Sequence, residues 1–106
     1  ILEIIAEEGS CEMIKHIVFW NLNPEDRQEH AEGIRERLEG LVGKIDGLLF
    51  AEVRQNFNPK GFDLCLYTEF STREALDAYQ AHPLHLAAKE YVHSAVHERV
   101  VVDYEA

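Results

Sequence analysis

The chain has 106 residues and a mass of 12.2 kDa, a length that predicts a single domain with a modest core. Ten Lys and Arg against twenty Asp and Glu leave a net charge of −10 with no basic cluster, so nucleic acid and anionic membrane surfaces are disfavoured as partners. No apolar run exceeds four residues, too few for a membrane-spanning helix.

Residues 1–12 read as an N-terminal extension with four acidic residues and no basic one, unlike a secretory signal. Glu7-Glu8-Gly9 can be encoded by a purine-rich, ribosome-binding-like stretch with Met13 suitably spaced behind it. Met13 is therefore one expected start, and a native extension is the other; the domain itself is expected over 13–106. Cys11 and Cys65 have no metal-ligand spacing and read as reduced thiols, which predicts a cytoplasmic setting.

Lys15 to Leu22 is rich in β-branched and aromatic residues and predicts a strand. Asn23 is a suitable N-cap with Pro24 as first helical residue, and Ala31, Ile34, Leu38 and Leu41 continue an amphipathic helix to about Gly43. Gly33 and Gly40 each cost such a helix about 1 kcal/mol relative to alanine, so packing must hold it. Leu48 to Gln55 predicts a second strand, 56–61 a turn, and the alternation from Phe62 to Phe70 a third strand paired with the second. Ser71-x-x-Glu74 reads as a capping box opening a helix through Tyr79, which His82-Pro83 breaks. A further helix carries Leu84, Ala87, Ala88, Tyr91, Val92 and Ala95 on one stripe, and Arg99 to Tyr104 closes the chain as a strand.

The order is β-α-β-β-α-β with the second helix broken at Pro83, an α+β, ferredoxin-like protomer with helices on one face of its sheet. The first strand is apolar on both sides, with Ile14, Val18, Trp20 and Leu22 opposite Ile17 and Phe19. The second strand places Leu48 and Phe50 opposite Leu49, Ala51 and Val53, and the fourth Val100, Val102 and Tyr104 opposite Val101. A sheet with one wet face should not be apolar on both. A second copy is the simplest cover, which predicts a homodimer.

Three segments, Met13-Ile14-Lys15-His16-Ile17-Val18-Phe19-Trp20, Tyr79-Gln80-Ala81-His82-Pro83-Leu84-His85 and Val100-Val101-Val102-Asp103-Tyr104, resemble the stress-responsive dimeric α/β-barrel (Dabb) family. The resemblance runs from Met13 to Glu105 and implies a ferredoxin-like protomer in a dimeric α/β barrel, loosely associated with stress. Most bacterial members have no assigned reaction. One plant member is a polyketide cyclase performing an intramolecular aldol condensation, and its working tyrosine and histidine match Tyr79 and His85. A further tyrosine of that cyclase's pocket falls at Leu38, a departure that argues against the same substrate.

His85 opens a helix at the edge of the apolar stripe, and an imidazole is the natural proton acceptor near neutral pH. With Tyr79 six residues earlier it forms the expected catalytic pair; contact without turnover, or a purely structural histidine, are the other readings. His16 shares a face with Ile14, Val18 and Trp20 and must be partnered there, by a pocket with His85 or by a neighbouring backbone group. His16, Trp20, His82 and Leu38 complete the expected ligand-binding set, although Trp20 also reads as core and His82 as a cap. His93 and His97 stand four apart without a third ligand, so no metal is expected. No cofactor motif is present. The sequence thus leaves three functions open: a dimer binding a small hydrophobic or aromatic molecule with no assigned reaction, a cofactor-free lyase or cyclase, and a haem-degrading-type monooxygenase.

Overall fold

The computed structural model describes residues 13–106; the expectations for residues 1–12 and Cys11 lie outside them. Seven elements follow in chain order: β1 (Ile14–Leu22), α1 (Arg27–Glu39), β2 (Leu48–Gln55), β3 (Leu64–Phe70), α2 (Arg73–Ala81), α3 (Pro83–Ala95) and β4 (Val96–Glu105). The strands form one antiparallel sheet in the order β2-β3-β1-β4, with the helices on one face, the expected ferredoxin-like α+β arrangement. β1 is central, and its alternate residues Ile14, His16, Val18, Trp20 and Leu22 are buried beneath the helices.

Several local expectations yield to tertiary contacts. Asn23 does not cap α1. Its N–H donates to the Ala95 carbonyl at 2.8 Å and its Oδ1 lies 3.0 Å from His97 Nδ1, so it is spent on the α3–β4 junction. The chain turns through Pro24 and Glu25, and α1 starts after Asp26, a left-handed residue (φ 54°) with no side-chain cap. α1 also stops at Glu39 rather than near Gly43, and Glu39 accepts from the Val53 N–H and from Arg54, each at 2.9 Å, tying the helix to β2.

β2 is irregular between Leu48 and Phe50, where one extra residue faces β3. The bulge resets the alternation, so Leu48, Ala51 and Val53 all point inward while Leu49 and Phe50 are exposed, in place of the expected two faces. β3 begins at Leu64, because the Phe62 carbonyl is taken by Asn56 in the preceding turn. The cap of α2 is Thr72, whose hydroxyl accepts from the Ala75 N–H at 3.0 Å; Ser71 instead donates its N–H to the Gly47 carbonyl. Gly47 has φ 86°, and a Cβ there would meet Ala75 Cβ at 2.4 Å, so only glycine fits where the loop passes under α2.

α3 is rotated from the expected stripe. Leu84 and Ala87 are exposed, and His85, Ala88, Val92 and Ala95 face the sheet. Gly33 explains itself through this helix: a Cβ there would lie 2.1 Å from Tyr91 Oη, and Arg37 stacks over the same ring at 3.7 Å. The propensity lost at Gly33 lets α1 and α3 approach closely. β4 starts at Val96 rather than Arg99 because its pairing with β1 extends to Leu22. It is an edge strand and is exposed along nearly its whole length.

Candidate functional site

β1 supplies the floor of the site and α3 its roof. Antiparallel pairing sets His16 opposite Asp103, Val18 opposite Val101 and Trp20 opposite Arg99, each pair on one face of the sheet. His16 is only 3% exposed, yet its Nδ1 lies 2.5 Å from Asp103 Oδ1. Its partner is therefore a carboxylate rather than the backbone group that sequence offered as one alternative. Asp103 was not among the residues singled out by sequence. The pairing depends on the β1–β4 register, although the β4 alternation does put Asp103 on the same side as Val101.

His85 stands in the first turn of α3, 9% exposed, and its Nδ1 has no hydrogen-bond partner. Burial depresses its pKa from the ordinary 6.5 to about 4, reinforced by the charge of Lys89 and more weakly by His16 and Arg99; the Gln80 carbonyl acts in the opposite sense. His85 is consequently a neutral imidazole at pH 7. Tyr79, at 1% exposure, packs its ring 4.1 Å from that of His85 and 4.8 Å from Phe70, with His16 edge-on at 6.3 Å. Burial raises the Tyr79 hydroxyl above its usual range, so it stays protonated.

Between floor and roof lies a slot of about 40 Å³, lined by His16, Trp20, Leu38, His85, Lys89, Arg99 and their neighbours. It has room for roughly three waters. Three of the expected ligand-binding residues, His16, Trp20 and Leu38, and one of the expected catalytic pair, His85, meet here. Tyr79 is not part of the lining and instead walls the two imidazoles from behind. His82 lies outside the slot: its Nδ1 accepts from the Leu84 N–H at 3.1 Å and caps α3. Leu38 reaches in from α1 and is buried.

His93 also borders the slot, whereas His97 is engaged by Asn23. Among the described residues no cluster of His, Cys, Asp or Glu has the make-up of a metal site. Haem belongs with ligands needing several hundred Å³, and the slot does not fit it. No helix among the described residues is long and apolar enough to cross a membrane.

The sheet's other face carries Phe19, Phe50, Val100, Val102 and Tyr104, all exposed. Beside them a polar group is satisfied within itself: Tyr67 donates to Glu69 at 2.6 Å, and Lys15 bonds both.

This architecture is shared. A dimeric, ferredoxin-like protein from Bacteroides fragilis is 31% identical, with a TM-score of 0.81 over 89% of this chain and 96% of its own. The hydroxynitrile lyase of Passiflora edulis (18% identity, 91% and 94% covered, TM-score 0.77) has the same fold. So does a putative antibiotic biosynthesis monooxygenase from Nitrosomonas europaea (18% identity, 90% and 90% covered, TM-score 0.76). No curated protein matches the sequence. The model of the stress responsive A/B barrel domain (Dabb) matches residues 14–106, and the chain belongs to that family.

Proposed function

We propose that the chain is a homodimeric small-molecule-binding domain whose ligand enters between His16 and His85. One observation carries this reading. Two imidazoles converge on a single apolar-floored slot, one braced by a carboxylate and the other buried with a free ring nitrogen. Buried polar atoms without partners are costly, and a ligand hydrogen bond would remove that cost. The exposed apolar sheet face supports the dimer, as does the description of the Bacteroides fragilis relative as dimeric. Cys65 as a free thiol supports a reduced, cytoplasmic setting, and the family description supports an association with stress.

A second reading, cofactor-free proton transfer of the lyase or cyclase kind, is favoured by the His16–Asp103 pair. It reverses the roles that sequence suggested. An imidazole depressed to about 4 is a weak base but a good neutral hydrogen-bond donor, so His85 suits a substrate carbonyl oxygen. His16, with Asp103 ready to stabilise an imidazolium, suits the acceptor of a proton from the adjacent carbon. The C–H bond breaks, an N–H bond forms on His16, and the electron pair moves onto the carbonyl oxygen as an enolate. Tyr79, kept protonated and outside the slot, holds both rings in place.

The slot's volume limits the substrate to a small carbonyl compound unless Leu38 or α3 moves. Exchange of α-protons for deuterium in acetone, a ketone small enough for the slot, followed by NMR in D₂O, tests the reading. The wild type should accelerate exchange, His16→Gln should abolish the acceleration, and Asp103→Asn should lower it about 100-fold or more. Wild-type exchange at the buffer rate, or full activity in His16→Gln, would overturn it.

A further inference from the structure

The charges around the slot deepen this reading, on which the following inference rests. The protein is strongly acidic, with only ten Lys and Arg in all. Five of these pair with carboxylates (Lys15, Arg27, Arg35, Arg54 and Arg73), and Arg37 is spent on the Tyr91 ring. The remaining four, Lys44, Lys60, Lys89 and Arg99, have no carboxylate within 4.0 Å among the described residues, and of these Lys89 and Arg99 line the same slot. They arrive from different elements, Lys89 one turn beyond His85 on α3 and Arg99 opposite Trp20 on edge strand β4. In a chain of net charge −10, two unpaired cations brought together at one opening form a local reversal of sign. Both lie close enough to His85 to oppose its protonation, so the cations at the slot face a neutral imidazole. His85 itself is more than nine-tenths buried and has an unsatisfied ring nitrogen. Behind the cations the walls are apolar, from Trp20, Leu38 and Val92, and the space takes about three heavy atoms.

We propose that the slot binds a short-chain carboxylate, its charge held at the mouth by Lys89 and Arg99 and its alkyl chain packed on Trp20, Leu38 and Val92. An acid of four carbons matches both the charge and the volume, with its carboxylate at the mouth and its three alkyl carbons filling the space behind. Aldehydes, amides and neutral ketones of equal size are then poorer ligands.

The test compares butyrate with butyramide, which has the same shape and no charge, on the full chain, with affinity read by calorimetry and site by the histidine ring resonances. Butyrate should bind about tenfold more tightly than butyramide at low salt, equivalent to about 1.4 kcal/mol, and 0.5 M NaCl should erase most of the difference. Arg99→Gln and Lys89→Gln should each remove most of butyrate's advantage and leave butyramide unchanged. Lys60→Gln, at a remote cation, should change neither. Equal binding of acid and amide with movement of the His85 ring would overturn the carboxylate assignment and leave the pocket reading intact. A butyrate preference that survives both slot variants and falls in Lys60→Gln would reveal only surface ion association and also overturn it. If neither compound moves any histidine ring, both readings fall.

Discussion

Acid should destabilise this protein through His85 in a window that the structure defines. The unfolded chain takes up the imidazole proton as pH falls through about 6.5, whereas the folded chain resists until about 4. The folded pKa of this base is depressed, so the unfolded state binds the extra proton between those values and stability drops as pH falls. The contribution of neutral His85 is fully retained above about pH 6.5, declines from there to about 4, and does not change further below. Between pH 7 and 5 the linkage gives at most about 2 kcal/mol, and discounting for solvent at the slot mouth leaves about 1–2 kcal/mol. In a domain of this size that corresponds to a melting-point loss of roughly 5–15 °C. Carboxylates titrate too, so the assay is the difference between wild type and His85→Leu, melted in parallel by circular dichroism from pH 7.5 to 4. Leucine has no proton to take up, and the wild type should lose more stability than the variant on going to pH 5. Parallel pH profiles for the two proteins would refute the reasoning.

Three further outcomes follow from the packing. Gly33→Ala should cost about 1–3 kcal/mol through the clash with Tyr91, and the penalty should shrink in a Tyr91→Leu background; equal penalties in both backgrounds, read by denaturant titration, would deny the contact. Thr72→Ala should destabilise by about 1 kcal/mol as an N-cap loss, whereas Ser71→Ala should shift the melting point by less than half as much. Val102, 55% exposed on the apolar sheet face, should be covered in the dimer, so Val102→Lys should sediment as a folded monomer where the wild type sediments as a dimer.

What could be read from sequence divides along physical lines. The alternation in β1 and β3 survives because each strand pairs regularly and buries one face, so burial and period two agree. β2 breaks the rule at a bulge, and nothing local in Leu48-Leu49-Phe50 announces which residue is extra. Asn23 and Ser71 are good caps in isolation, but both are claimed by distant partners, Ala95 with His97 and Gly47 respectively. At the site, His85 and His16 were visible as polar residues among apolar neighbours. Their surroundings were not, because Asp103 meets His16 across 87 residues and Lys89 and Arg99 reach the slot from a helix and an edge strand. Tyr79 was found by resemblance, and its position behind the imidazoles depends on how α2 meets α3 at Pro83.

The central claim is that His16 and His85 form one ligand site, and ring NMR of histidine-labelled protein tests it most directly. Titrated with small carbonyl compounds at pH 7, the His16 and His85 resonances should move together, with one shared midpoint, while His82 and His97 stay still. A ligand series that moves neither ring, or moves them with separate midpoints, would contradict the account.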